Sequence, residues 1–181
     1  MANDDDFLAL PDAALLGQCD LHTYKSSGPG GQHRNKVSSA VRLKHRPTGI
    51  SAHGDESRRQ SENKNVALCR LRMNLALQIR RPVDISSPRV PPLLAECIFT
   101  PRGGQTPAGI HRIQFGRKDS RFWPVAALLL DILDAFQGKL ADAAAYLGIT
   151  GSNLTSVLES DRHLLAAAQA LRKHYNLKQL M

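Results

Sequence analysis

Two kinds of periodicity divide the chain. Up to about residue 60 the apolar positions alternate over short runs; beyond residue 123 they recur at helical spacing. "PDAALLGQ" predicts a short helix, with Pro11 in a favourable first-turn position. "DLHTYKS" sets Leu21, Thr23 and Lys25 against His22, Tyr24 and Ser26, as a strand does. "SSAVRLKH" sets Ala40, Arg42 and Lys44 against Val41, Leu43 and His45, which predicts a second strand with one basic face. "RPTG" reads as a turn, because Pro47 pre-sets φ and Gly49 relieves it; "ISAHG" is a short third strand. From about Ser61 to Arg80 helix formers dominate, and Pro82 stops the helix. Val66, Cys69, Met73 and Leu77 share a helical face and are expected to pack on the sheet, leaving Lys64, Arg70 and Arg72 for solvent or a partner.

The stretch from about Pro82 to Pro124 is rich in Pro, Gly and Arg and reads as linker or irregular structure. Trp123 to Phe136 predicts a helix, with Phe122 and Trp123 as core anchors. A small-residue helix over Leu140–Leu147, a Gly148 turn and a second helix from near Ser152 form a helix-turn-helix pattern, followed by a helix over Arg162–His174. The expected architecture is α+β: a small mixed sheet on one long helix, then an all-α helix-turn-helix-like part. The domain bounds read as 1–86, a linker over 87–122, and 123–181.

Charge adds a partner class. The 181 residues carry a formal net charge of +8. Thirteen Lys or Arg lie between Lys25 and Arg81, against Asp55, Glu56 and Glu62 alone. This concentration points to an anionic polymer, foremost nucleic acid, although net charge by itself serves solubility equally well. Cys19, Cys69 and Cys97 are odd in number and widely spaced, with no metal-ligand spacing; a zinc site is not expected, each cysteine reads as a small core residue, and a reducing compartment fits. "MANDDDF" has no apolar segment of the kind that precedes a secretory cleavage site, and Asp4 to Asp6 reads as a solvated tail. The longest apolar run, "WPVAALLLDILDAF", is interrupted by Asp131 and Asp134 and is too short to span a bilayer.

The chemistry centres on "SSGPGGQHRNK", Ser26 to Lys36. It is not a Walker A loop, because Gln32 follows Gly31 where Lys-Ser/Thr is required, and it lacks the third glycine of a dinucleotide fingerprint. No Gly-x-Ser-x-Gly elbow occurs. No cofactor is implied. The Gln32 amide cannot act as a general base; it can orient a water, while its backbone N–H can stabilise developing negative charge. Gly30 and Gly31 permit backbone angles closed to other residues and a close approach to a substrate. His33 points away from Gln32 in an extended segment, so a structural or RNA-contacting role is expected rather than proton transfer. The loop is half of an active site whose other half a nucleic-acid partner would supply.

"SSGPGGQHRNKVSSAVRLKHRPTGI" resembles the catalytic domain of class I peptide chain release factors and their shortened ribosome-rescue relatives. Arg58, Gln60, Asn63, Lys64 and Ala67 extend the likeness along the helix, to about residue 81. Gly-Gly-Gln alone is weak; followed by Asn35-Lys36, Ala40-Val41 and Pro47-Thr48-Gly49-Ile50 in order, it is specific. The resemblance implies hydrolysis of the peptidyl-tRNA ester in the ribosomal P site, with Gly30, Gly31 and Gln32 entering the peptidyl transferase centre. It implies 23S rRNA and the tRNA as partners, with His33, Arg34, Asn35, Lys36, Arg42, Lys44, Arg58, Arg59 and Lys64 as RNA contacts. It also implies N-methylation of Gln32 by a dedicated methyltransferase, and a cytoplasmic setting.

The sequence departs from a full release factor in lacking a Pro-x-Thr or Ser-Pro-Phe codon-reading tripeptide; "SPR" at Ser87 to Arg89 is no substitute, and the length is about half that of the full factors. Codon-independent release on stalled ribosomes or large subunits is therefore the expected activity. The C-terminal part reads as folded and mildly basic, unlike the disordered basic tail some rescue relatives use. "PRGGQTP" repeats the tripeptide at Gly103 to Gln105, without the flanking strand or Asn-Lys, and reads as coincidence. Two other readings stay open: a non-catalytic ribosome or RNA-binding factor that keeps the fold, and a DNA-binding regulator. The second helix of the helix-turn-helix, Ser152 to Leu158, has no Arg or Lys, which weighs against DNA.

Overall fold

A computed structural model describes residues 7–25, 38–86, 89–100 and 111–180. The chain divides into two compact units, Met1–Ala76 and Leu77–Met181. The division falls inside the long helix, ahead of the expected boundary after residue 86.

The first unit begins with α1 (Asp12–Gly17), whose first turn closes on Pro11 through Leu15 N–H (3.0 Å). Strands β1 (Cys19–Tyr24), β2 (Ala40–His45) and β3 (Ser51–Gly54) follow in spatial order, each antiparallel to its neighbour. The sheet is thus wholly antiparallel rather than mixed, because both connections are hairpins and neither crosses over. Its register sets Leu21, Leu43 and Ala52 in one row and His22, Arg42 and His53 in the next. The turn after β2 is closed by His45 N–H to Ile50 O (2.8 Å) and Gly49 N–H to His45 O (2.8 Å), and it places Gly49 at φ +72°, as expected of its glycine.

Helix α2 (Gln60–Gln78) buries Asn63, Ala67, Leu68, Leu71, Leu75 and Ala76. The sequence pattern pointed to Val66, Cys69, Met73 and Leu77 instead. Cys69 is exposed and the other three are half-buried, so the apolar stripe chosen from spacing lies on another side of the helix. The reason lies at Gly54: a Cβ there would stand 2.2 Å from the Asn63 carbonyl oxygen and 3.0 Å from Ala67 N. Backbone meets backbone at that point, which turns Asn63 and Ala67 inward. Each helical residue advances about 100°, so fixing those two decides the rest. Arg70 and Arg72 are not left for a partner either. Arg70 donates to His53 O (2.8 Å) and pairs with Glu56; Arg72 donates to Leu8 O (3.1 Å) and Leu10 O (2.6 Å) and pairs with Asp12 (2.7 Å), fastening the N-terminal segment.

In the second unit the described parts of the expected linker, residues 89–100 and 111–122, are folded. They form α3 (Pro92–Ala95) and the antiparallel pair β4 (Ile98–Phe99) and β5 (Arg112–Ile113). Leu94, Cys97 and Ile113 enter the same core as α4 (Phe122–Ala135), α5 (Leu140–Leu147), α6 (Gly151–Glu159) and α7 (Arg162–His174). Phe122 is buried and Trp123 packs edge-on against it at 4.9 Å. Asp131, an interruption of the apolar run, is buried and accepts from Arg80 (2.9 Å) and from Arg81 N–H (3.1 Å). Those bonds draw residues 80 and 81 into the second unit. Gly148, at φ +67°, ends α5 in the left-handed conformation. Thr150 then caps α6 through Asn153 N–H (3.2 Å), and Asp161 caps α7 through His163 N–H (2.7 Å). No described helix is long and apolar enough to cross a membrane.

Candidate functional site

The glycine loop connects β1 to β2, and Gly30, Gly31, Gln32, His33, Arg34, Asn35 and Lys36 lie outside the described residues, as does the second tripeptide at Gly103–Gln105. The roots of the loop are described. The last registered pair before it is Tyr24 opposite Ala40. Just beyond its C-terminal side, Ser39 O accepts a 2.8 Å bond from the Asn63 amide. The same amide donates to Ser57 O (2.8 Å), and its oxygen accepts from Ser57 N–H (2.8 Å). Asn63 is fully buried, so three of the four hydrogen-bonding positions of its amide are filled by backbone of two separate loops. It ties the foot of the glycine loop to the segment that carries Arg58 and Arg59. In the sequence Asn63 stood out only as part of a family-like run; a polar residue on a helix gives no sign of facing inward until the sheet is placed.

The basic residues fall into two groups. Arg42 and Lys44 project from β2, both exposed, on the face opposite buried Val41, Leu43 and His45. Arg58 and Arg59 are exposed in the turn before α2; Arg59 pairs with Glu62 (3.2 Å), and Arg58 makes no side-chain bond among the described residues. Ser57 Oγ–H also bonds Glu62, holding that carboxyl below its usual range. Lys64 is half-buried on α2.

At the opposite end of the hairpin, His45 is fully buried, with Phe7 edge-on at 4.6 Å. Its Nδ1 lies 2.8 Å from Thr48 Oγ1 and its Nε2 3.0 Å from Gln18 Oε1. Gln18 Oε1 can only accept, so Nε2–H donates to it, and in the neutral ring the Thr48 hydroxyl donates to Nδ1. Burial, reinforced by the Arg46 charge, lowers its pKa from 6.5. Burial raises the Cys19 and Cys97 thiols, as befits inert core residues, whereas Cys69 is at the surface rather than in the core as expected. Among the described residues no group of three or more His, Cys, Asp or Glu side chains converges on a point that could hold a metal.

In the helix-turn-helix, the amide-bearing residue of the second helix is turned inward. Asn153 Oδ1 accepts from Ile113 N–H (2.8 Å) and its Nδ2 donates to Ile113 O (3.3 Å), pinning β5. Ser152, Ser156 and Glu159 form its exposed side, which offers no cation to a phosphate.

Residues 16–86 match the RF-1 domain family. Peptide chain release factor 1 of Albidiferax ferrireducens is 48% identical over 66 residues, 34% of this chain and 18% of that protein. Peptide chain release factor 2 of Acidovorax sp. (strain JS42) is 55% identical over 53 residues, 29% of this chain and 14% of that protein. Peptide chain release factor 1 of Mesoplasma florum is 47% identical over 55 residues, 30% and 15% of the two chains. The chain therefore spans less than a fifth of the length of these relatives.

Proposed function

Because residues 16–86 match the RF-1 domain family, we propose that this protein hydrolyses the ester between a nascent peptide and the P-site tRNA on the ribosome, without reading a codon. The observation that carries this reading is that the family match encloses the intact Gly30-Gly31-Gln32 loop. Water attacks the ester carbonyl; the tetrahedral intermediate collapses with release of the ribose oxygen, which takes up a proton. The Gln32 backbone N–H stabilises the negative charge that develops, and its side chain admits water as the nucleophile. Gly30 and Gly31 let the main chain approach that closely. 23S rRNA supplies the rest of the pocket.

His33, Arg34, Asn35, Lys36, Arg42, Lys44, Arg58, Arg59 and Lys64 are the proposed RNA contacts, which position the loop without reading sequence. Gln32 is the proposed site of N-methylation by a glutamine methyltransferase, and the cytoplasm is the proposed setting. Codon independence is supported by the missing Pro-x-Thr and Ser-Pro-Phe tripeptides and by a helical second unit in their place. The test is release of labelled peptide from 70S complexes whose A site is empty, or holds a stop or a sense codon. Equal release in the three is expected, with near-complete loss in Gln32→Ala. Release confined to stop codons would overturn codon independence.

A further inference from the structure

The open face of the sheet carries a row in which only Arg42 has been given a role so far. Arg42 on the central strand stands directly opposite His22 on β1 and directly opposite His53 on β3. All three side chains are exposed, and none makes a side-chain hydrogen bond or ion pair among the described residues. Directly opposed residues hold their Cβ atoms about 5 Å apart, so three potential cations span about 10 Å across the strands. Lys44 lies about 7 Å further along the same face. Tyr24 shares that face two residues beyond His22 and is 37% exposed.

Acidic groups near the row are engaged elsewhere. Asp20, opposite Lys44, is held by Arg46 (3.3 Å). Glu56 is held by Arg70, whose other guanidinium nitrogen bonds the His53 carbonyl. Asp55, two residues beyond His53, has a partner of its own. Four groups able to carry positive charge with one aromatic ring, beside carboxylates already paired with Arg46 and Arg70, match the two needs of a ribose-phosphate strand: phosphate neutralisation and base stacking.

We propose that this face binds an RNA strand, with Arg42 on a phosphate, His22 and His53 as flanking donors to it, Lys44 on the neighbouring phosphate and Tyr24 stacked on a base. This rests on the ribosomal reading above but adds His22, His53 and Tyr24 to it.

The experiment is fluorescence anisotropy of a labelled oligouridylate with the full chain at several salt concentrations, each variant being checked for folding by circular dichroism. Arg42→Gln should weaken binding and make the salt slope shallower by about 0.7, the share of one phosphate contact on a single strand. His22→Ala with His53→Ala should weaken binding severalfold, and His174→Ala, in the other unit, should leave it unchanged. Tyr24→Ala should weaken binding without changing the slope. Wild-type affinity in the His22→Ala, His53→Ala double variant would overturn the proposal, and so would polyglutamate competing as well as RNA. Peptide release is measured in parallel. Release without this RNA response removes the surface and leaves the hydrolase; the RNA response without release does the reverse.

Discussion

Asn63 and Gly54 show how much of the first unit hangs on single atoms. The Asn63 amide fills three hydrogen bonds at 2.8 Å in a fully buried position. Asn63→Leu keeps the branching of the side chain and leaves Ser39 O and the Ser57 N–H and carbonyl without their amide partner. A loss of at least about 3 kcal/mol in urea unfolding is expected, because each of the three groups left unsatisfied costs about 1–3 kcal/mol. Gly54→Ala would place a Cβ against the Asn63 carbonyl, which is backbone and cannot step aside; it should destabilise by at least as much as the overpacking range of about 1–3 kcal/mol. His45 gives a pH signature. Its folded pKa lies below the unfolded value of about 6.5, so the unfolded chain binds the extra proton. The stability it contributes is complete above about pH 6.5 and is lost as pH falls from there towards the folded value. Thermal unfolding should show that step in the wild type and not in His45→Gln. None of these roles was legible in the sequence. Position in a strand or helix gave each residue a face, but whether a polar atom on that face finds backbone to bond depends on which loop packs there.

At the scale of elements, the strands, the turn at Gly49 and the order of the helices were readable, because period-two and helical alternation are local properties. The orientation of α2 was not. Its apolar residues surround most of the helix, so spacing admitted more than one stripe, and the choice was made by contact between Gly54 and the helix backbone. The folded segment of residues 89–100 and 111–122 was hidden for another reason. Leu94, Cys97 and Ile113 are single core residues set among prolines and arginines, in elements too short to show a period. Asp131 makes the same point on α4, where an apparent flaw in an apolar run is one half of a buried ion pair with Arg80. Arg80→Met should cost about 3–5 kcal/mol by leaving that buried carboxylate without its Arg80 charge partner and with the Arg81 N–H still bonded to it, and adding Asp131→Leu should recover most of it. Chemical denaturation of the three variants measures this. A double variant no better than the single would mean that the cost lies in lost packing instead of uncompensated charge.

For the whole molecule, the concentration of positive charge in the first unit suits a nucleic-acid partner, and the outer side of α6, which carries Glu159 and no cation, weighs against DNA reading by that helix. The glycine loop was picked out in the sequence by its residues, which lie outside the described ones; the strands on either side of it, β1 and β2, are described. The central claim is that the backbone at Gly31-Gln32 takes part in ester hydrolysis on the ribosome. The most direct measurement is single-turnover release of labelled peptide from stalled 70S complexes, comparing wild type with Gly31→Ala while ribosome binding is monitored by co-sedimentation. The account predicts equal binding and a rate lower by about a hundredfold to a thousandfold, because the added Cβ holds the Gln32 N–H away from the developing negative charge and so has the effect of losing one oxyanion donor. Equal release rates for the two proteins would contradict it.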